Sequence, residues 1–194
     1  MTRLFVAIAL PEAVRERLAR MAGGIPGARW IGVHQMHLTL RFIGEVDGAV
    51  FDDVRSALEL VQAPGFDLVL DGVDHFGRRR RARTIWVGVA ANPALGHLAR
   101  KVEAALVHAG LAPESRRFTP HVTLARLRQT SAERVAAFLG THALFREEPI
   151  PVSGFQLFSS QLLHTGAFYR VEEEYALAPP QTPSLSSTES TRIP

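Results

Sequence analysis

Two short segments of this chain carry the same four-residue pattern. The tetrapeptide HLTL begins at His37 and HVTL begins at His121, 84 positions later. Side chains of an extended strand alternate between its faces, so each histidine shares a face with the threonine two positions on, Thr39 or Thr123. The intervening residues are apolar and are predicted to pack inward. Each segment should therefore present one imidazole and one hydroxyl on a polar face of a strand.

A pair of histidines can supply both partners of acid–base catalysis. The unperturbed imidazole pKa is about 6.5, so one ring can hold a proton near neutral pH while the other accepts one. On opposite sides of a phosphorus atom, the pair would take a proton from the nucleophile and give one to the leaving oxygen. The two threonine hydroxyls would donate hydrogen bonds to the non-bridging oxygens. This chemistry needs no metal ion, and we expect no cofactor.

Other catalytic chemistries lack their residues. Cysteine is absent, which excludes disulfides and thiolate chemistry and fits a reducing compartment. Neither motif has a carboxylate cluster beside it and there is no HExxH, so metal-dependent hydrolysis is a disfavoured alternative. A G-x-S-x-G elbow and a P-loop are also missing. The remaining histidines are predicted to be structural or solvated: His34, His75, His97, His108, His142 and His164.

The order of predicted elements repeats along the chain. Each half has the order strand, helix, His-Thr strand, helix, strand, and landmarks such as Pro11 and Pro93 recur 82 to 84 positions apart. We predict an internal duplication with repeats over about 2–78 and 84–165, closed by a strand over 168–177. The seven strands are predicted over 3–10, 35–43, 66–76, 84–90, 118–127, 150–159 and 168–177.

Composition limits the partners and the compartment. A hydrophobic content of 46% can build a core, and a net charge of +3 favours anionic partners. The basic run Arg78–Arg83 is either a solvated loop or a patch that follows a phosphate backbone. The apolar run 4–10 is too short to span a membrane. We expect a cytoplasmic monomer without membrane contact, and a flexible Pro/Ser/Thr-rich tail over 179–194.

The motifs and their surroundings resemble a known family. Paired HxTx motifs are the mark of the 2H phosphoesterase superfamily. The segments RLFVAIALPE, ARWIGVHQMHLTLRFIGEV and FTPHVTLAR, with LFSS and GAFYRVEEEYAL, resemble the bacterial and archaeal RNA 2′,3′-cyclic phosphodiesterases, historically called 2′-5′ RNA ligases. The resemblance covers about residues 2–178.

This resemblance implies both a fold and an activity. The fold is α+β, with residues 1–178 as a single two-lobed domain whose two antiparallel sheets face a central cleft and whose helices pack outside. The activity is hydrolysis of RNA 2′,3′-cyclic phosphate termini to 2′-phosphates, with a weaker reversible 2′-5′ joining of RNA. RNA with such ends, including tRNA halves, is the implied partner.

The resemblance also implies roles for individual residues. His37 is the proton donor to the departing 3′ oxygen, and His121 is the base that activates water. Thr39 and Thr123 hold the phosphate, and Arg126 meets the phosphate or the ribose.

Strand parity bears on two arginines near the motifs. In a regular strand Arg126 faces away from His121, so a β-bulge or the strand end has to redirect it. Arg41 shares parity with His37 and is a second candidate for anion contact. Phe5, on the first strand, is the aromatic candidate for substrate contact.

Two other functions remain open at this point. A related enzyme could act on small cyclic nucleotides or on 2′-5′ oligoadenylates. Alternatively, the chain could be a non-catalytic RNA-binding module, although binding alone does not require two titrating imidazoles.

Overall fold

A computed structural model describes residues 1–78, 81–163 and 166–180. The strands are β1 Thr2–Ala9, β2 Ala28–Trp30, β3 His37–Val46, β4 Phe66–Leu68, β5 Leu70–Arg78, β6 Arg81–Val89, β7 His121–Leu127, β8 Ile150–Val152, β9 Gly154–Leu163 and β10 Gly166–Ala176. The helices are α1 Glu12–Ala19, α2 Gly48–Glu59, α3 Pro93–His108 and α4 Ala132–Thr141, with a 3₁₀ turn over Val33–Gln35. The predicted α+β class is confirmed. Arg79, Arg80, His164 and 181–194 of the predicted tail lie outside the described residues.

Eight strands form one antiparallel sheet in two halves. Its order is β10-β9-β1-β3-β7-β6-β5, and β2 pairs with β7. The central strands β3 and β7 meet at a single register pair, Leu38 with Val122. The two sheets expected for the two lobes are therefore the halves of one sheet, joined at this pair.

The last strand of each predicted repeat lies in the other half of the sheet. β5 pairs with β6, and β9 pairs with β1. Each of these long strands is interrupted, so the predicted single strands 66–76 and 150–159 are corrected to β4 with β5 and β8 with β9. The short pieces β4 and β8 pair with each other in a separate two-stranded sheet. At this small sheet the two chain segments cross, and each continues into the opposite half of the large sheet.

Pairing between positions 84 apart occurs twice. Leu38 pairs with Val122 in the large sheet, and Asp67 pairs with Pro151 in the small one. An antiparallel contact across a two-fold axis places a residue opposite its own repeat equivalent. Both pairs have the geometry that the predicted duplication requires, while the repeat boundaries stay a prediction.

The apolar core lies on one face of the large sheet. Leu38 and Val122 are fully buried there, in a single cluster that takes in apolar residues of all four helices. The opposite face carries a smaller cluster of Phe5, Ala7 and Phe158. The helices therefore leave this second face to the polar side chains of the motifs. Within the described residues, no helix is long and apolar enough to cross a membrane.

Candidate active site

The two histidines begin the two central strands of the sheet. His37 is the first residue of β3 and His121 the first of β7. Each immediately precedes one member of the pair that joins the two halves, and both are partly buried, as are Thr39 and Thr123. Alternation along the strands puts these four side chains on the face opposite the core. The structure thus brings the two motifs together.

Both imidazoles are held by the same contact. Nδ1 of His37 lies 2.8 Å from the carbonyl oxygen of Gln35, and Nδ1 of His121 lies 2.7 Å from that of Thr119. A carbonyl oxygen can accept but cannot donate, so Nδ1 carries the proton and donates in both rings. Nε2 is then the atom of each ring that can exchange a proton with a ligand. The two carbonyl groups precede their histidines by two positions, a role that residue types did not reveal.

Burial lowers the pKa of both histidines. Desolvation lowers the pKa of His37 from 6.5 to about 4, opposed by the hydrogen bond to Gln35 and helped by the charge of His121. The pKa of His121 is also lowered by desolvation, against the effect of its bond to Thr119. Both rings are therefore mostly neutral in the free protein at neutral pH. An anion bound between them would favour the protonated forms.

Aromatic rings enclose His37. Phe5 stacks on the imidazole with ring centroids 4.7 Å apart, and Tyr169 meets it edge-on at 5.3 Å. Phe158 stacks on Phe5 with ring centroids 5.1 Å apart, and its own ring lies 6.1 Å from the imidazole. Phe5 is only 3% exposed, so its ring has little surface left for the substrate contact that the sequence suggests. Its contact is with the imidazole, which explains the burial of His37.

His121 has a more open environment. Phe76 packs edge-on against its ring at 4.8 Å, and Trp86 lies at 5.9 Å. Both aromatic residues are partly exposed. The two halves of the site are therefore related in backbone geometry but differ in how much water reaches the imidazole.

A β-bulge in β7 determines where Arg126 points. Leu124 has no register partner on β6 and is an extra residue in β7. Leu124 and Ala125 are both buried, and Arg126 after them is exposed. The extra residue resets the alternation, so Arg126 faces the same side as His121. This is the redirection that the sequence requires if Arg126 is to contact a ligand.

The equivalent bulge in β3 turns Arg41 away from His37. Leu40 is the extra residue there. The Arg41 side chain is 11% exposed, and its Nε donates to a carboxylate oxygen of Glu103 in α3 at 2.5 Å. Its guanidinium also donates to the carbonyl groups of Phe42 and Ala112. Arg41 therefore ties β3 to α3 and to the segment before β7, and because it also lines the pocket described next, its contact with an anion stays a prediction.

A pocket of about 980 Å³ opens beside His121. Its walls come from β3, from α3 and from the segment 112–119, and Thr39 and Phe76 also line it. His37 is not among the residues that line it. The cleft is therefore asymmetric, with free volume on the His121 side.

The basic run lies at the end of the β5–β6 hairpin. Arg78 and Arg81 pair across the ends of β5 and β6, and both are exposed, as is Arg83. Within residues 1–78, 81–163 and 166–180, no group of three or more His, Cys, Asp or Glu side chains is placed to hold a metal ion.

Comparisons with known proteins find relatives over most of the chain. A family model described as the 2′-5′ RNA ligase superfamily matches residues 5–161. A Thermus thermophilus protein named RNA 2′,3′-cyclic phosphodiesterase is 35% identical over 188 residues, which cover 90% of this chain and 90% of that protein. A protein of the same name from Aeropyrum pernix is 33% identical over 174 residues, or 84% and 96% of the two chains. The crystal structure of Escherichia coli LigT complexed with 3′-AMP matches with a TM-score of 0.72 and 28% identity, covering 91% of this chain and 98% of that one.

Proposed function

The chain belongs to the 2′-5′ RNA ligase superfamily, and we propose that it is a metal-independent enzyme that opens RNA 2′,3′-cyclic phosphate termini to 2′-phosphates. The observation that carries the proposal is the pair of imidazoles on one face of the sheet, each anchored through Nδ1 so that Nε2 can exchange a proton. The names of the relatives support the substrate. The LigT complex with 3′-AMP supports a ribonucleotide as the ligand of the cleft.

The reaction requires a proton acceptor and a proton donor on opposite sides of phosphorus. Nε2 of His121 takes a proton from the attacking water as the new P–O bond forms. The P–O3′ bond breaks, and protonated His37 delivers its Nε2 proton to O3′. The products are a 2′-phosphate and a free 3′-hydroxyl. His37 is neutral in the free protein, and the negative phosphodiester raises its pKa on binding and so favours the acid form.

Three further side chains would stabilise the charge on the phosphate. Thr39 and Thr123 share the face of the histidines and would donate to the non-bridging oxygens, where charge develops in the transition state. Arg126 reaches the same face because of the bulge and would add a charge-assisted hydrogen bond to the phosphate or the ribose.

The same pair of histidines can join RNA ends. If a 5′-hydroxyl replaces water, the identical proton transfers give a 2′-5′ phosphodiester and a free 3′-hydroxyl. We include this weaker, reversible joining in the proposal, with tRNA halves as candidate substrates. We also propose that the protein is monomeric and cytoplasmic.

A substrate panel tests the proposal. The protein would be assayed in EDTA on an oligonucleotide with a 2′,3′-cyclic phosphate, on 2′,3′-cyclic AMP and on a 2′-5′ oligoadenylate. We expect hydrolysis of the first two to 2′-phosphates. Replacing His37 or His121 by Ala should cost roughly a hundredfold to ten-thousandfold in kcat/KM, the usual contribution of one general acid or base.

Three outcomes would contradict it. Activity lost in EDTA and restored by a divalent metal would reject the metal-independent mechanism. Preferential cleavage of the oligoadenylate would point to a different enzyme of the superfamily. Tight binding of the oligonucleotide without turnover would indicate an RNA-binding module.

A further inference from the structure

The pocket beside His121 is much larger than hydrolysis needs. An in-line nucleophile must enter opposite O3′, which under the proposed function is the His121 side. A water molecule takes up about 30 Å³, whereas this pocket offers about 980 Å³. Volumes of roughly 300–1,000 Å³ are typical of sites that hold small organic ligands. The space on the nucleophile side therefore fits a much larger nucleophile than water.

This space exists because the two halves of the sheet differ in the segment that lies next to their central strand. Next to β7, the short strand β2 fills the angle between the halves, and the Ile31 N–H continues the contact by donating to the Leu124 carbonyl. The equivalent residues next to β3 are 112–114, 84 positions later, and they form no strand. They connect to β3 through the Arg41 guanidinium, which spans the gap to the carbonyl of Ala112. The Arg41 side chain thus stands where the other half has the strand β2, and the space that it leaves unfilled forms the pocket.

Exposed apolar side chains line this pocket. Phe42 is 45% exposed and Val107 is 38% exposed, and both face the pocket together with Phe118. Phe42 is the repeat equivalent of Arg126, 84 positions earlier in the chain. The bulge at Leu40 places it on the face of the histidines, as the bulge at Leu124 does for Arg126. Large apolar groups exposed around a cavity are typical of ligand sites, and aromatic rings in particular stack on nucleobases.

The charge of the pocket suits a nucleic acid strand. Glu103 and Glu114 both lie in ion pairs with Arg41. Arg100 and Arg117 line the pocket with exposed side chains, and neither forms an ion pair with any residue that the structure describes. The side chains of Arg100 and Arg117 can therefore bind phosphate groups that extend from a bound nucleoside.

We propose that this acceptor pocket, formed by Phe42, Arg100, Val107, Arg117, Phe118 and His121, binds the 5′-terminal nucleoside of a second RNA strand. Its base stacks on the aromatic rings and its 5′-hydroxyl lies at Nε2 of His121. The inference rests on the proposed function and assigns the nucleophile of that site. The 5′-oxygen forms the new P–O bond and its proton passes to His121. The P–O3′ bond breaks with the proton of His37, so no co-reactant is needed.

The base of the cyclic nucleotide itself is the competing occupant. Its ribose carries O3′, the oxygen that departs toward His37, so that ribose lies on the His37 side of phosphorus. Nothing in the in-line geometry draws its base into the pocket on the nucleophile side. The competing occupancy is nevertheless measurable, because it would affect hydrolysis as well as transfer.

The test measures how the reaction divides between water and an RNA acceptor. The full chain would be given an oligonucleotide with a 2′,3′-cyclic phosphate and increasing concentrations of the 5′-hydroxyl dinucleotide ApA. The joined and hydrolysed products would be separated and counted. In Phe42→Ala we expect the KM for ApA to rise roughly five- to a hundredfold, the effect of losing one stacked base. Phe42→Leu keeps apolar bulk without the aromatic face and should show an intermediate rise.

Phe168→Ala is the matched control, since Phe168 is 52% exposed on β10 and does not line the pocket. We expect it to leave both products unchanged. An equal loss of hydrolysis and transfer in Phe42→Ala with an unchanged KM for ApA would overturn the inference. So would a rise in the KM for the cyclic nucleotide alone, which would place its own base in the pocket. Wild-type hydrolysis without any joined product would reject the acceptor pocket and keep the proposed function, whereas absence of both products would reject the proposed function itself.

Discussion

At the scale of single residues, one backbone contact serves two histidines with different surroundings. The Nδ1 atoms of both rings bind carbonyl groups two positions upstream. Phe5 and Tyr169 enclose His37, while the pocket adjoins His121. The more desolvated ring has to hold the proton in the proposed mechanism, so bound substrate must compensate for the cost of charging it.

The leaving group can distinguish the acid from the base. His37→Ala should be partly rescued by a nucleoside p-nitrophenyl phosphodiester, because nitrophenolate departs without a proton. His121→Ala should not be rescued, since the nucleophile still needs a base. Steady-state kinetics of the two single variants and the double variant would measure this, and the double loss should fall well short of the product of the single losses. The opposite pattern of rescue would exchange the two roles.

The pH dependence should differ between kcat/KM and kcat. Desolvation disfavours the imidazolium and lowers the pKa of both histidines in the free protein, to about 4 for His37. The optimum of kcat/KM, which reports the free enzyme, should therefore lie below pH 6.5. A bound phosphodiester anion raises the pKa of both rings, so the limbs of the kcat profile should lie at higher pH. Both profiles would be recorded on 2′,3′-cyclic AMP, and coincident profiles would contradict the assignment.

At the scale of elements, two bulges decide which arginine lies on the face of the histidines. The extra residues Leu40 and Leu124 occupy equivalent positions in β3 and β7. They place Arg126 on the face of the histidines, and they place Arg41 against Glu103. Strand parity alone would place each of these two arginines on the opposite face, so we expect them to have distinct roles.

Alanine variants should separate these roles. Arg126→Ala should lower kcat/KM roughly tenfold to a hundredfold, the value of one hydrogen bond to a charged group, with unchanged stability. Arg41→Ala leaves Glu103 without its ion-pair partner, although the Glu114 N–H still donates to it, and should cost about 1–3 kcal/mol of unfolding free energy. Urea unfolding and steady-state kinetics on 2′,3′-cyclic AMP would measure both. Arg3→Ala, which breaks the exposed pair with Glu45, is the control and should change neither quantity much. Equal catalytic losses in Arg41→Ala and Arg126→Ala, without loss of stability, would contradict the distinction.

At the scale of the whole molecule, the β5–β6 hairpin carries a basic surface that we expect to contact RNA. Arg78, Arg81 and Arg83 are exposed near its end. A strand held in the cleft can extend along such a surface, and its phosphates would release counterions there. The hairpin belongs to the same half of the sheet as His121.

Replacing these three arginines by Ala should weaken oligonucleotide binding and flatten its salt dependence. Each phosphate contact to a single strand contributes about 0.7 to the slope of log K against log salt, so the slope should fall by about 2. Binding would be measured by fluorescence anisotropy at several salt concentrations. Turnover of 2′,3′-cyclic AMP, which has no strand to track, should change little. Equal losses on both substrates would mean that the arginines support the fold or the pocket.

The sequence by itself determines the features that depend on local alternation. His37 and His121 share a face with their threonines, and the residues between them are buried, because side chains of any strand alternate. The strand–helix order follows in the same way from periodicity, and the family resemblance implies the α+β class. The resemblance to the family is carried by these same segments.

Only the tertiary structure decides what depends on partner strands. A bulge is defined by two residues facing one on a neighbouring strand, so the bulges at Leu40 and Leu124 left no mark in the pattern of either strand alone. The three-residue strand β2 is too short to show periodicity, and no local signal reveals that β5 and β9 exchange halves. The pocket beside His121 exists because one half has a strand where the other has an arginine side chain. Such contacts join residues distant in sequence, and their geometry is fixed only when the two halves pack together.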